Sequence, residues 1–158
     1  MRIERKLHDE CGVFGVSLHN TEAAGITYNG LLSLQHRGQE GAGIAVVKDR
    51  SIACIKNTGL VSEVFTGQVL KQFPDSNIAV GHTRYSTTGG STSENVGAFV
   101  TEYLTGRIAT AHNGNITNAP ELRKALEDCG LNFNASSDSE VVSSLIAYHI
   151  TKEEDLIS

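Results

Sequence analysis

The stretch LHDECGVFGV, residues 7–16, sets a cysteine at the mouth of a short apolar run. From Cys11 the chain reads CGVFGVSL, too short for an ordinary helix and rich in β-forming residues, so it is read as a buried strand. Three polar residues, His8, Asp9 and Glu10, precede it. A thiol at the start of a strand either packs as a small hydrophobe or stands at the sheet end as a nucleophile. A nucleophile needs a base. His8, His36, His82 and His112 are available, but none has a carboxylate at a telling spacing. The other base is the cysteine's own amine. If residues 1–10 are removed, Cys11 becomes the N-terminus, and an α-amino group with a pKa of about 8 is partly neutral near pH 7 and able to take the thiol proton.

Working outward from this strand, residues 20–38 carry apolar positions at helical spacing and close on His36, Arg37 and Gly38, a helix stop. GIAVVK and SIACIK are β-branched runs joined by Asp49-Arg50, which predicts a hairpin. LVSEVFTGQVLKQF reads as a short helix or a pair of turns, and NIAVGHTRYS as a strand running into a loop. STTGGSTSENVG is polar, glycine-rich and aperiodic, and is read as a mobile loop. AFVTEYLTGRIATAHNG predicts two strands around Thr105-Gly106. A helix follows, with Asn118 as cap, Pro120 in its first turn, Glu121 in a capping box and Gly130 as its stop. In the last helix Ser137 caps, Glu140 reaches back, and Val141, Val142, Leu145 and Ile146 form the apolar stripe. Strands in hairpins among helices predict a layered α+β domain with antiparallel sheet. The chain ends at TKEEDLIS without a closing strand, so the fold is expected to be incomplete at its C-terminal end.

Composition bounds the function. The 158 residues suit one domain, and 39% apolar and 20% charged residues are ordinary for a globular protein. A net charge of -5 argues against nucleic acid and anionic membrane as partners. MRIERKLHDE has no apolar segment of the secretory kind. Three cysteines without C-x-x-C spacing point to a cytoplasmic, reducing setting with no disulfide framework and no metal site; Cys54 and Cys129 are read as structural.

Three further motifs carry chemistry. In GHTRYSTTGG, Arg84 stands at a strand end before the polar loop, suited either to a surface ion pair or to a bidentate carboxylate clamp. In AHNGNITN, Asn113-Gly114 is either a turn or an oxyanion hole made from a side-chain amide and an unobstructed backbone N–H. In SSDSE, Asp138 either compensates a helix dipole or accepts a substrate ammonium. Together with a thiol they describe a site that hydrolyses the side-chain amide of glutamine.

CGVFG, LQHRGQEGAGI, GLVSEVF, GHTRYSTTG, AHNGNITN and SDSE occur here in one order, and in this the chain resembles the N-terminal glutaminase domain of the amidophosphoribosyltransferase family, from Cys11 to about Ile150. The resemblance implies an N-terminal-nucleophile hydrolase fold, a four-layer αββα sandwich with antiparallel sheets. It implies a propeptide over 1–10 and a partial class II glutaminase domain over 11–158, with the phosphoribosyltransferase domain absent. Cys11 would be the nucleophile, Asn113 and Gly114 the oxyanion hole, Arg84 and Asp138 the carboxylate and ammonium partners of glutamine. The backbone near Thr87 would help Arg84, and Tyr85 would begin the segment that closes over glutamine. Arg37 and Gly38 would support the pocket. Ammonia would pass to phosphoribosyl pyrophosphate in the first step of purine synthesis. No cofactor is expected on this chain; full-length members use Mg2+ in the phosphoribosyltransferase domain, some carry a 4Fe-4S cluster, and they are expected to be homo-oligomers. Other class II amidotransferases, such as glucosamine-phosphate synthase or asparagine synthetase, and a stand-alone glutamine-binding module are the alternatives. Against the former, the chain lacks the tryptophan that tends to follow the arginine in the glucosamine-phosphate branch. ENVGAFV, residues 94–100, departs from the family's usual glutamine-proline pair before the phenylalanine.

Overall fold

A computed structural model describes residues 11–85 and 92–152. Strand β1 is Gly12–Ser17, followed by helix α1, Ala23–Ser33. Strands β2 (Gly41–Lys48) and β3 (Ser51–Thr58) form the expected hairpin, with Asp49 in the left-handed region at φ 54°. The following segment forms two one-turn helices, α2 (Val61–Val64) and α3 (Gly67–Leu70). Strand β4 is Ile78–Arg84. A second hairpin, β5 (Phe99–Tyr103) and β6 (Gly106–Thr110), precedes helices α4 (Ala119–Asp128) and α5 (Asp138–Lys152).

The larger sheet has the order β1-β4-β2-β3 and is antiparallel throughout. Its strands have two unlike faces, because alternate side chains point opposite ways. Ala79 and Thr83 of β4 and Ala42, Ile44 and Val46 of β2 are buried, and Gly81 of the same β4 row lies against Thr27 and Leu31 of α1. This face, with Leu31, Val61 and Phe65, makes the core. Burial of each such large side chain favours the folded state by about 1.5–3 kcal/mol. The opposite face carries His82 and Arg84 and looks toward the β5–β6 hairpin, which α5 covers, with α4 packed against α5. The result is four layers: helix α1, sheet, hairpin, helix α5.

Several local expectations are corrected. Helix α1 ends at Ser33, and Gln35–Arg37 form a separate 3-10 turn. Gly38 therefore closes this 3-10 turn and not helix α1. It is extended, and a Cβ there would lie 2.7 Å from the Thr83 carbonyl, so close backbone approach is what requires glycine. The end of the presumed mobile loop is packed: Asn95 and Val96 are buried. At α4, Asn118 holds the cap position without a side-chain hydrogen bond, while Gly130 has the expected left-handed φ of 91°. At α5, Ser137 Oγ does accept from the Ser139 N–H, but Glu140 accepts from the N–H groups of Asn134 and Ala135 instead of reaching to its own cap. The buried face of α5 is Ser139, Val141, Ser143, Ser144 and Ala147; of the expected aliphatic stripe only Val141 is fully buried, and Val142, Leu145 and Ile146 are half-buried. Its small residues allow close approach to β5, where Ser143 Oγ and Thr101 Oγ1 share a hydrogen bond of 2.7 Å.

Candidate active site

Cys11 lies at the start of β1, beside the end of β4. Gly12 donates its N–H to Thr83 Oγ1 at 3.1 Å, which fixes the register of the two strands at this edge. The Tyr85 N–H then points at Cys11 Sγ, 3.4 Å away, and the thiol is 3.5 Å from the Tyr85 carbonyl. Two donors from distant segments converge on the Cys11 carbonyl oxygen: Asn113 Nδ2 at 2.7 Å and Arg37 Nε at 3.3 Å. The expected supporting role of Arg37 thus has a definite form, a hydrogen bond to the main chain of the candidate nucleophile.

Cys11, Arg84, Tyr85, Gly114 and Asp138 line one cavity between the sheet, the loop after β6 and the start of α5. Arg84 is buried, and its Nη1 donates to the Asn95 carbonyl oxygen. Asp138 is held from two sides: its Oδ2 accepts from the Ile116 N–H at 2.8 Å and its Oδ1 from Ser139 Oγ at 3.5 Å. A cation from β4 and an anion from the start of α5, lining one cavity with a thiol, suit a zwitterionic amino acid. Thr87 lies outside the described residues, as do His8 and the proposed propeptide. His36 is exposed in its 3-10 turn and lines no part of this cavity.

Two cavity residues had been weighed only as possible bases. His82 is buried on β4, two residues before Arg84 and so on the same face. Burial, and then the Arg84 guanidinium, push its pKa down to about 4, so the ring is neutral at physiological pH. His112 also lines the cavity, with Nδ1 3.1 Å from Ser139 Oγ. The spacing His-x-Arg on one strand was the signal for His82. Asn95, likewise in the cavity wall, sits in the stretch read as mobile, and no sequence signal marked it.

The remaining cysteines stand apart. Cys54 lies within β3, its thiol 3.6 Å from the Ala98 carbonyl, and burial raises its pKa. Cys129 is exposed just beyond α4. Among the described residues no group of three or more His, Cys, Asp and Glu side chains is placed to hold a metal ion. No helix among them is long and apolar enough to cross a membrane.

Residues 83–157 match the family model described as a glutamine amidotransferase domain. Over these residues the chain is similar to that family. Named relatives match over most of the chain. Amidophosphoribosyltransferase 2, chloroplastic, of Arabidopsis thaliana is 50% identical over 145 residues, which are 91% of this chain and 26% of that protein. The amidophosphoribosyltransferase of Methanocaldococcus jannaschii is 46% identical over 148 residues, 93% of this chain and 31% of the relative. Among solved structures, glutamine phosphoribosylpyrophosphate amidotransferase from B. subtilis, complexed with ADP and GMP, superposes with a TM-score of 0.74 at 44% identity, over 85% of this chain and 28% of that one. The fold of this chain is therefore that of the N-terminal-nucleophile hydrolases, antiparallel sheet between helices. The chain spans between a quarter and a third of the length of these relatives.

Proposed function

We propose that this chain is the glutaminase part of an amidophosphoribosyltransferase, acting through Cys11 as an N-terminal nucleophile. The observation that carries the reading is the convergence on Cys11: its sulfur faces the Tyr85 N–H, and its cavity is walled by Arg84 and Asp138. Glutamine binds with its carboxylate toward Arg84, near Thr87, and its ammonium toward Asp138. Removal of residues 1–10 frees the Cys11 amine, which takes the thiol proton. The thiolate attacks the side-chain carbonyl carbon, and the developing oxyanion is met by N–H groups of Asn113 and Gly114. The tetrahedral adduct collapses to a thioester on Cys11 as the C–N bond breaks, and the amine returns the proton so that ammonia leaves. Water, deprotonated by the same amine, adds to the thioester, the C–S bond breaks, and glutamate departs.

Ammonia then displaces pyrophosphate from phosphoribosyl pyrophosphate and gives phosphoribosylamine, the first step of purine synthesis. In this reading that step, with its Mg2+ and any 4Fe-4S cluster, belongs to a phosphoribosyltransferase domain outside residues 11–158, in a cytoplasmic homo-oligomer. The relatives' shared name and their greater length support the further domain and its acceptor step. The test is glutamate release from glutamine by protein whose intact mass begins at Cys11, with phosphoribosylamine formed when phosphoribosyl pyrophosphate is added to the full-length protein. Folded, processed protein that releases no glutamate overturns the glutaminase reading; release without phosphoribosylamine overturns only the acceptor.

A further inference from the structure

Three consecutive carbonyls, those of Glu94, Asn95 and Val96, all face cationic side chains. Lys56 Nζ donates to Glu94 at 3.1 Å and Val96 at 2.8 Å, and Arg84 Nη1 donates to Asn95 between them. Lys56 also lies 4.6 Å from the centre of the Phe99 ring. This short turn is thereby pinned to β3 and β4. The Asn95 side chain points the other way along the cavity wall. It is 6% exposed, and its Oδ1 accepts from both the N–H and the Oγ of Ser136, at 2.9 and 3.1 Å. Its Nδ2 donates to Thr92 Oγ1 at 3.3 Å, which fixes the orientation of the amide. Ser136 lies two residues before Asp138, in a corner whose other groups are held by α4 and α5: Arg123 donates to the carbonyls of Ala135 and Ser137, and Glu140 accepts from Asn134 and Ala135.

We infer that Asn95 is a positioning residue that sets the distance between the two charged ends of the glutamine site. Its carbonyl holds the Arg84 guanidinium and its side chain holds the corner that carries Asp138. Arg84 and Asp138 sit on different layers of the fold, the sheet and helix α5, so their separation depends on what joins those layers at the cavity. The inference rests on the glutaminase reading, since only a zwitterionic substrate needs that separation held. Contacts to the α-carboxylate and α-ammonium are made alike in ground and transition states, so their loss raises KM and spares kcat.

The experiment compares glutamine with glutaramate, the same amide without the α-amino group, in protein beginning at Cys11. Asn95→Ala is expected to raise the KM for glutamine by about tenfold, with kcat changed less than about threefold, and to raise the KM for glutaramate several-fold less. Ser136→Pro, which deletes both donors at the exposed end of the same contact, gives the same pattern even if Asn95→Ala does not fold. Ser136→Ala, which keeps the backbone N–H, stays near the unsubstituted protein. The double variant is no worse than the poorer single one, because both remove one contact. Equal losses for the two substrates, a fall in kcat at constant KM, or no effect of either variant overturns the positioning role. Absence of glutamine hydrolysis in the unsubstituted protein overturns the glutaminase reading instead.

Discussion

The Asn113 side-chain amide donates to the carbonyl oxygen of Cys11 at 2.7 Å, joining positions 102 residues apart. One amide hydrogen is thus spent on the nucleophile's own main chain and sets where the residue stands. In the proposed mechanism the second hydrogen serves the oxyanion, which exists only after attack. Replacing Asn113 with Ala therefore acts on the transition state. The expected outcome is a fall in kcat of about 10²-fold with KM for glutamine changed little, read from steady-state glutamate release.

In the proposed mechanism Cys11 carries the covalent step, so Cys11→Ala is expected to abolish glutamate release, a loss of about 10³-fold or more. Cys54→Ala and Cys129→Ala leave turnover unchanged, because neither thiol lines the cavity. A variant in which Glu10-Cys11 is not cleaved keeps the amide in place of the amine and is inactive, with an intact mass that still includes residues 1–10. Activity from such a protein would remove the N-terminal amine from the mechanism.

His82 makes folding stability pH-dependent. Its folded pKa is depressed to about 4 by burial and by Arg84, against 6.5 for the free side chain. Below pH 6.5 the unfolded chain binds a proton that the folded one does not, so the stability is present in full above 6.5 and falls as pH drops toward 4. The shift corresponds to about 3 kcal/mol. Urea midpoints measured between pH 7 and pH 4 should fall, and His82→Gln should flatten that part of the profile. An unchanged slope in the variant would assign the acid sensitivity to other groups.

The strands were legible because glycine and short β-branched runs punctuate them, and because Asp49-Arg50 marks a two-residue connection; the second turn is Leu104-Thr105, one residue before the expected Thr105-Gly106, with Gly106 opening β6. That Cys11, Arg84 and Asp138 would share one cavity was suggested by a thiol, a guanidinium and a carboxylate standing at element ends, where packing rarely needs them. What hydropathy missed is polar burial. Ser139, Ser143 and Ser144 lie inside on α5 because small side chains let the helix approach the hairpin and a hydroxyl pair satisfies Ser143. Asn95 was hidden for the same reason: its polarity and its glycine-rich surroundings read as solvent-facing, whereas its hydrogen bonds are met within the fold. Helix α1 was drawn too long because Gln35, His36 and Arg37 continue the helical pattern. The break after Ser33 instead lets Gln35 cross over and accept from the Val61 N–H at 2.6 Å.

The departure at Val96-Gly97-Ala98 leads to a prediction about packing. The backbone of Gly97 lies directly on Gly43 of β2: a Cβ built at Gly43 would stand 1.8 Å from the Gly97 carbonyl oxygen and 2.7 Å from the Ala98 nitrogen. Neither is the free end of a flexible side chain, so the only relief is to lift the 95–98 backbone off the sheet. Gly43→Ala is expected to destabilise by about 3 kcal/mol, a drop of roughly 10 °C in Tm for a chain of this length. Because the same backbone carries the carbonyl that holds Arg84, the surviving folded protein should also bind glutamine more weakly. Gly25 supplies the control. It lies in α1 with nothing within 4 Å of its Cβ position, so Gly25→Ala should stabilise by about 0.5–1 kcal/mol. The same atom added at two positions is thus expected to move Tm in opposite directions, and a neutral Gly43→Ala would mean that residues 95–98 do not rest on β2.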